Sequence, residues 1–473
     1  MNKTKRIILI SVAAALAAVG IVLAIVLPLT LHRHDGETFT VTFESNGGTS
    51  VAAIKDVPYN STIIEPAAPS KQGYTFGGWY KDAKLSSAWT FATDKVTSDI
   101  VLYARWNYVE TEGMTMLPNG NEYTVVNIGS ATDVNLFIPE TYNGLPVTVI
   151  ADNAFANVTF LQTVFIPSGI KRIGQNAFLK CSNLTEVTFG SDSQITAIEA
   201  HTFEDCVKLT DIVIPSTVKE IGERAFSACQ SLVEIVLPAS LDTLGENVFS
   251  NCIGLERLSV DSRNTHFFSS VNGTPVNCIV EITTVHKLVV GCKTSQIPTS
   301  VKVIGRGAFY GCSTLTHIVI PSGVTTIEAF AFQGCRRLDG ITLPFTVEEV
   351  GDYAFSTCEN LAYAEFARSN NEYGIKRLGR EAFSYSFVNT LTQLSFVLPA
   401  SLESIGCGLL CGTPFTYSDV NMTVTSGHSA SALQQIIEED TYGLYNGPAI
   451  NVMCRDGDQL QTTPIFRLAG KDD

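Results

Sequence analysis

Charged residues are scarce in this sequence, and basic ones scarcer still. Asp, Glu, Lys and Arg make up 16% of the 473 residues, and 31 basic against 46 acidic side chains give a formal net charge of -15. Proteins that hold a phosphate backbone do so with many Lys and Arg side chains, so nucleic acid is not expected as a partner. A hydrophobic share of 45% excludes a largely disordered chain.

Signatures of catalysis and of metal binding are also missing. Cys407 and Cys411 form a close pair, but no second Cys or His pair lies nearby to complete a zinc site. No HExxH, GxSxG or P-loop context surrounds the histidines that follow residue 36, namely His201, His266, His286, His317 and His428. We therefore expect no metal, no cofactor and no enzyme activity. A surface hydrolase stays a remote alternative, since it would need a carboxylate pair or nucleophile that the sequence does not display.

Long apolar runs are limited to one, Ile7–Leu31, which follows Lys3, Lys5 and Arg6. At about 1.5 Å per residue it is long enough to cross roughly 30 Å of hydrocarbon. The basic residues before it predict a cytoplasmic N-terminus. Residues 1–36 are thus interpreted as a cytoplasmic stub and an uncleaved transmembrane signal anchor, with the rest outside the cell membrane. Cleavage of a signal peptide and secretion is the alternative.

A small β module is predicted at residues 37–107. Phe39, Val41 and Phe43 alternate with polar residues before Asn46 and Gly47, which suit a tight hairpin turn. The strand pattern recurs in GYTFGGWYKD, AWTF and IVLYARW. The tryptophans of the chain, at positions 79, 89 and 106, all lie here. They are interpreted as the core of the module, with a carbohydrate-stacking platform as the alternative.

Three segments of this module carry a family resemblance: FESNGG, EPAAPSKQGYTFGGWY and LYARW. Together they closely resemble the Listeria-Bacteroides repeat, also called the internalin B-repeat. The resemblance implies a β-grasp-like module of bacterial surface proteins that serves as a spacer or in adhesion.

The remaining chain repeats with a period of 23 residues, as in segments 165–187, 213–235 and 236–258. A proline, a phenylalanine and a cysteine recur at fixed positions, for example Pro215, Phe226 and Cys229. One such unit cannot bury its own apolar side, so the repeats predict a solenoid of stacked coils. In LTDIVIP, Leu209, Ile212 and Ile214 are expected to point inward.

The solenoid is assigned to residues 108–420 and a C-terminal cap and tail to 421–473. The repeat departs from its pattern at 259–295, 365–394 and 398–420. SASALQQIIEE, from residue 429, predicts a short helix, and AINVMC, from residue 449, predicts a strand. We expect both to cover the last apolar edge of the solenoid.

The consensus IPxxVxxIGxxAFxxCxxLxxI resembles the leucine-rich repeats of the BspA-like (Treponema and Bacteroides type) surface proteins. The resemblance implies a mostly β fold, a leucine-rich-repeat solenoid of parallel strands, and a role in adhesion to host matrix proteins or other cells.

The repeat cysteines are expected to be buried thiols. In-register parallel neighbours stand about 4.8 Å apart, whereas the Cβ atoms of a disulfide want about 3.8 Å. Cys278 and Cys292 differ, because NCIVEI and KLVVGC read as a hairpin. Placing Val280 opposite Val290 places Cys278 opposite Cys292, so a local disulfide is a candidate there, beside the alternative of two free thiols.

The candidate binding residues are at strand positions whose side chains face solvent and do not pack in the core. They mix charge with apolar side chains on the predicted concave face: Glu186, Asp211, Val213, Glu234, Val236, Arg257, His317, Val319 and Tyr363. The valines suggest an apolar stripe for protein binding, although strand propensity alone could also explain them. The irregular insert Asp261–Lys293, with His266, Phe267 and Phe268, could add a protruding contact.

These expectations combine into a non-enzymatic, membrane-anchored surface protein that binds an extracellular protein, with a monomeric ectodomain. A structural tether or envelope spacer without a specific ligand is the alternative.

Overall fold

The structure is a computed structural model, and it describes residues 36–71, 74–108, 110–389, 395–413, 423–437, 450–453 and 459–462. The chain divides into two compact units between residues 109 and 110. The predicted span Ile7–Leu31 lies outside the described residues. Within those described ranges, no helix has the length and apolar character needed to cross a bilayer.

A mixed four-stranded sheet in the order β2-β1-β4-β3 forms the first unit. Its central strands β1 and β4 run parallel, and both outer pairs are antiparallel. The strands are β1 Thr38–Glu44, β2 Ile54–Pro58, β3 Tyr74–Tyr80 and β4 Ile100–Tyr108. The prediction that tryptophans fill this core is confirmed for Trp79 and Trp89, which are buried. Trp106 is half-buried and donates from Nε1 to the Ser45 carbonyl at 2.9 Å.

The second unit opens with an antiparallel hairpin of β5 and β6, whose second strand pairs in parallel with β9. The strands of this opening are β5 Thr115–Asn119, β6 Glu122–Asn127, β7 Asn135–Phe137, β8 Thr141–Tyr142 and β9 Leu145–Ile150. Strands β7 and β9 then pair with the first regular coil. The opening therefore continues both ladders of the solenoid.

Each regular coil contributes a front strand and a two-residue back strand, and both sets form parallel, in-register ladders. The front strands here are β10 Thr163–Ile166, β12 Glu186–Phe189, β14 Asp211–Ile212, β16 Glu234–Leu237 and β18 Arg257–Val260. The back strands are β11 Arg172–Ile173, β13 Ala197–Ile198, β15 Glu220–Ile221 and β17 Thr243–Leu244. This is the mostly β, leucine-rich-repeat type of fold that the period predicts.

The repeat period stacks like residues on like residues in the core. Leu209, Ile212 and Ile214 are buried, as predicted. The phenylalanine rings form a column in which Phe203 and Phe226 lie 5.4 Å apart at an angle of 14°. The repeat cysteines are buried free thiols, again as predicted: Cys181, Cys206, Cys229, Cys252, Cys312, Cys335 and Cys358.

Two turns in each coil pass through left-handed backbone, which the sequence reasoning missed. The first lies two residues before the repeat phenylalanine or leucine: Asn153, Asn176, His201, Arg224, Asn247, Gly307, Phe330, Tyr353, Glu381 and Gly408. The second lies two residues after it: Asn157, Lys180, Asp205, Ala228, Asn251, Gly311, Gly334, Thr357, Tyr385 and Gly412. Glycine favours this conformation and Asn, Asp and His tolerate it, but residues such as Arg224, Ala228 and Phe330 do not, so the mixed residue types concealed the pattern.

An antiparallel insert interrupts the array after β18. It comprises β19 Phe267–Val271, β20 Thr274–Glu281 and β21 Lys287–Gly291. Strand β21 then pairs in parallel with the next back strand and so takes the place of one coil in the back ladder. Of the residues predicted to form a protruding contact, Phe267 is buried and Phe268 packs half-buried against the core, so the prediction is wrong for both, whereas His266 is exposed.

The Cys278–Cys292 disulfide candidate is also wrong in this structure, which holds both as free buried thiols. The hairpin of β20 and β21 exists, but its register is irregular between Ile279 and Val280, and Cys278 stands opposite Gly291. Because side chains alternate along a strand, Cys278 packs into the core of the second half of the solenoid, whereas Cys292 packs with Ile279 into that of the first.

Regular coils resume after the insert. Their strands are β22 Val303–Ile304, β23 Thr326–Ile327, β24 Ile341–Leu343, β25 Glu349–Val350, β26 Ala364–Phe366, β27 Arg368–Ser369, β28 Glu372–Tyr373, β29 Arg377–Leu378, β30 Ser395–Leu398 and β31 Ser404–Ile405. Of these, β24 and β26 form a separate front ladder, and the back ladder runs from β21 to β31. The hairpin of β27 and β28 lies within the departure from the repeat at 365–394.

Near the C-terminus a helix and a strand lie where the sequence predicts them, and two further strands were not predicted. These elements are β32 Thr423–Ser426, α1 Ala430–Ile436, β33 Ile450–Met453 and β34 Gln459–Thr462. Ser429 caps the helix by accepting a hydrogen bond from the Ala432 amide at 3.3 Å. Leu433 packs from this helix into the solenoid core, and the sheet order β30-β32-β33-β34 extends beyond the last coil.

Candidate functional site

The front face is the solvent side of the front strands and of segment 317–320, which aligns with them in the repeat. Alternation creates it: in β16, Ile235 and Leu237 are buried, whereas Glu234 and Val236 are exposed. All of the predicted binding residues are exposed on this face, namely Glu186, Asp211, Val213, Glu234, Val236, Arg257, His317, Val319 and Tyr363.

Part of this set lines one shallow depression of about 360 Å³, here called the N-terminal depression. The exposed fraction is 76% for Val213 and 50% for Val236. Its exposed lining comprises Thr210, Asp211, Val213, Val233, Glu234, Val236 and Arg257. Val233 was not predicted, although it stands where neighbouring coils carry polar residues such as Thr210 and Glu256. The floor of the depression is therefore apolar and its edge is charged.

The charged side chains at this edge and next to it are unevenly paired. Arg257 donates from Nε and Nη2 to Oε2 of Glu234, each at 2.7 Å. This hydrogen bond raises the pKa of Arg257. Lys293 lies 2.9 Å from Glu256 and, through its hydrogen bond, lowers the pKa of that carboxyl group. Among the described residues, neither Glu186 nor Asp211 forms a salt bridge.

A second open depression of about 350 Å³, here called the C-terminal depression, has different chemistry. Its exposed lining includes His317, Val319, Thr342 and Tyr363. The exposed fraction of Val319 is 66%. The Tyr363 ring lies across Gly340, where an added Cβ would stand 2.2 Å from a ring carbon. Glycine at position 340 thus leaves the space that the Tyr363 ring occupies.

The structure divides the predicted apolar stripe. Val213 and Val236 line one depression, and Val319 lines the other. Strands β16 and β18 belong to a different front ladder from β24 and β26, and the insert separates them in sequence. Across the described portion of the chain, no group of three or more His, Cys, Asp or Glu side chains could hold a metal ion.

The parallel ladders, the stacked phenylalanines and the 23-residue coils define a leucine-rich-repeat solenoid protein. The family description BspA type leucine rich repeat region matches residues 148–272 and 289–413, more than half of the chain. The chain belongs to this family. The gap between the two matches falls within the insert. The Listeria-Bacteroides repeat domain matches residues 39–105, which identifies the first unit.

Curated relatives match short parts of the chain. Internalin H of Listeria monocytogenes is 46% identical over 72 residues, which are 15% of this chain and 12% of that protein. A protein of Evansella cellulosilytica, named as a membrane protein, is 44% identical over 98 residues, 20% of this chain. The chain spans only 13% of the length of the latter.

Two solved structures of bacterial proteins match large parts of this chain at low sequence identity. The pneumococcal vaccine antigen PcpA is 19% identical with a TM-score of 0.48, and the match covers 68% of this chain and 81% of PcpA. A leucine rich cell surface protein of Faecalibacterium prausnitzii is 21% identical with a TM-score of 0.41, covering 70% and 98%.

Proposed function

We propose that this protein is a bacterial cell-surface protein that binds an extracellular protein through the front face of its solenoid and catalyses no reaction. The observation that carries this proposal is the exposure of Val213 beside Val236 in the N-terminal depression. A front face without a ligand would more often carry polar residues at such positions. Burying a valine side chain contributes about 1.5 kcal/mol, so a partner that covers both gains substantially.

The proposed location is the outer side of the cell membrane, with the apolar run Ile7–Leu31 as a single-pass anchor and the N-terminus in the cytoplasm. Its support is the length of that run and the basic residues before it. Protease treatment of intact cells tests the location. The solenoid should be degraded on intact cells, whereas a solenoid that resists the protease until the cells are lysed contradicts the proposal.

Binding of the full chain, purified in mild detergent, to a panel of extracellular matrix proteins, mucin and whole cells tests recognition. We expect saturable binding that is lost in Val213→Glu and in Val319→Glu, or in one of them. Leu117→Glu is the matched control, because Leu117 is also exposed but lies in the opening hairpin, away from the front face.

Circular dichroism must show that each variant remains folded. Binding that persists in both front-face variants contradicts recognition by this face. Absence of binding to every member of the panel favours the structural tether, which needs no ligand on the front face.

A further inference from the structure

We infer that the N-terminal depression binds an extended, positively charged peptide segment. One Lys or Arg side chain of the ligand lies between Asp211, which lines the depression, and Glu186 on the adjacent strand β12. An aliphatic side chain two residues away packs on Val213 and Val236. This inference rests on the proposed function and narrows it to one partner chemistry.

The two carboxylates stand side by side on adjacent strands. Glu186 of β12 and Asp211 of β14 are register partners in a parallel ladder, where neighbouring strands are about 4.8 Å apart. Like charges at this spacing repel each other. Neither carboxylate has a basic partner among the described residues, and Glu186 accepts only a hydrogen bond from Thr188 Oγ1 at 3.1 Å. A cation from outside would relieve the repulsion.

The next pair along the same face shows the contact in intramolecular form. Glu234 and Arg257 are register partners in the same way, and there the guanidinium group lies on the carboxylate at 2.7 Å. In the Glu186–Asp211 pair, Asp211 occupies the position that Arg257 holds in the Glu234–Arg257 pair, so the first pair has no cation of its own. The face thus neutralises one pair itself and leaves the other to a ligand.

The spacing of apolar and acidic groups indicates an extended ligand. Val213 follows Asp211 by two residues, and Val236 follows Glu234 by two. Side chains on one face of an extended chain also recur every two residues, about 6.7 Å apart. A ligand with Lys or Arg at one position and Val, Ile or Leu two residues on therefore matches both the charge and the apolar floor.

Charge decides between this occupant and a second copy of the chain. The whole chain carries a net charge of -15, so two copies repel each other, whereas a basic segment is attracted. The C-terminal depression differs, because His317 and Tyr363 stand in the column that holds Glu186 and Asp211. It provides an internal control.

The test measures fluorescence anisotropy of labelled peptides with the full chain in detergent. The probe is Lys-Ser-Val-Ser repeated twice, and the matched peptides replace Lys by Glu or Val by Ser. We expect only the Lys and Val peptide to bind well, with an affinity that falls as NaCl rises from 50 to 300 mM. In the Glu186→Gln, Asp211→Asn double variant we expect at least tenfold weaker binding and a smaller salt dependence.

Val213→Thr keeps the shape of the side chain and removes apolar surface, so it should weaken binding of the probe several-fold. The same change in the other depression, Val319→Thr, and the carboxylate control Glu365→Gln should leave its dissociation constant within twofold. No binding of the probe to the wild-type chain, equal binding of the Glu peptide, or an unchanged affinity in the double variant overturns the inference.

The protein panel separates failure of this inference from failure of the proposed function. If panel proteins bind through Val319 but not through Glu186, Asp211 and Val213, front-face recognition stands and the cationic ligand is wrong. If changes in neither depression affect any panel protein, both are wrong.

Discussion

The Sγ atom of Cys229 donates a hydrogen bond to the carbonyl oxygen of Phe203, 3.3 Å away in the preceding coil. The same contact joins Cys206 to Phe178 at 3.2 Å and Cys252 to Phe226 at 3.1 Å. A buried thiol fills a small space and supplies a weak donor, whereas a hydroxyl would cost more to desolvate. Cysteine therefore suits this repeat position for packing and needs no partner cysteine.

Alkaline pH should destabilise the solenoid through these thiols. Burial raises the pKa of Cys181 to about 12 from its ordinary value of 9.0. The folded state then keeps the proton that the unfolded state loses, so stability is fully present below pH 9 and falls as the pH rises toward 12. One such thiol lowers the free energy of unfolding by about 2 kcal/mol between pH 9 and 11.

Denaturant unfolding of the wild type and of Cys181→Ala from pH 7 to 11 measures this contribution. The variant is expected to be less stable at pH 7, because it loses buried volume, and to lose less stability above pH 9. Parallel curves for the two proteins over the whole range would contradict a raised pKa at Cys181.

The left-handed turns make a second prediction. Ala228 has a φ of 58°, a conformation that Gly311 and Gly334 adopt at the equivalent position of later coils. Ala228→Gly should raise the free energy of unfolding by about 0.5 to 1 kcal/mol, since relief of the left-handed strain exceeds the entropy cost of glycine.

Ala239→Gly is the matched control for this turn. Ala239 is half-buried like Ala228 but has no positive φ, so glycine there should destabilise by about 0.5 to 1 kcal/mol. Equal destabilisation of both variants in urea unfolding would show that Ala228 is not strained.

Repetition explains why so much of this fold could be predicted. Once the 23-residue period is known, the burial of Ile212 and Ile214 and the exposure of Val213 between them follow from strand alternation, and the structure confirms all three. Where the repeat is interrupted, the period predicts neither the strands nor their pairing. For the insert, the prediction depended on the pairing register of its hairpin. The structure has an irregularity between Ile279 and Val280, so Cys278 stands opposite Gly291 and not opposite Cys292. A bulge of this kind leaves no reliable sign in one sequence.

The candidate site was predictable only in part, for a similar reason. Exposure follows from the repeat, so each proposed binding residue lies on the front face. Which of these residues share a depression depends on how the coils stack, and Val236 and Val319, on either side of the insert in sequence, line different depressions. The placement of the Tyr363 ring against the preceding coil depends on Gly340, which no local pattern at Tyr363 indicates.

The first unit should fold alone. Its core is built from its own residues, with Trp79 buried against Phe43 at a ring distance of 4.8 Å. Because every tryptophan of the chain lies in it, intrinsic fluorescence excited at 295 nm reports on this unit. An isolated fragment of residues 37–107 should show the same blue-shifted emission and cooperative unfolding as the full chain. Emission typical of water-exposed tryptophan in the fragment would contradict an independent core.

The phenylalanine column couples adjacent coils, and coupling should be limited to neighbours. The Phe226 ring packs 5.4 Å from Phe203 and 5.5 Å from Phe249. Phe226→Leu should lower the free energy of unfolding by about 1 to 2 kcal/mol because it loses volume and ring contacts, whereas Phe160→Leu at an exposed site should cost less than about 0.5 kcal/mol.

A double-mutant cycle then tests how far this effect extends. Phe203→Leu and Phe226→Leu remove the same contact, so their combined effect should depart from additivity by at least about 0.5 kcal/mol. Phe155 lies at the start of the column, and its ring stacks on Phe178 at 5.1 Å rather than on Phe226. Phe155→Leu and Phe226→Leu should therefore add within about 0.3 kcal/mol, as expected where each coil contacts only its neighbours. Both interaction energies are measured by urea unfolding. Equal values for the two pairs would mean that coupling extends along the whole column, which contradicts stabilisation by nearest neighbours alone.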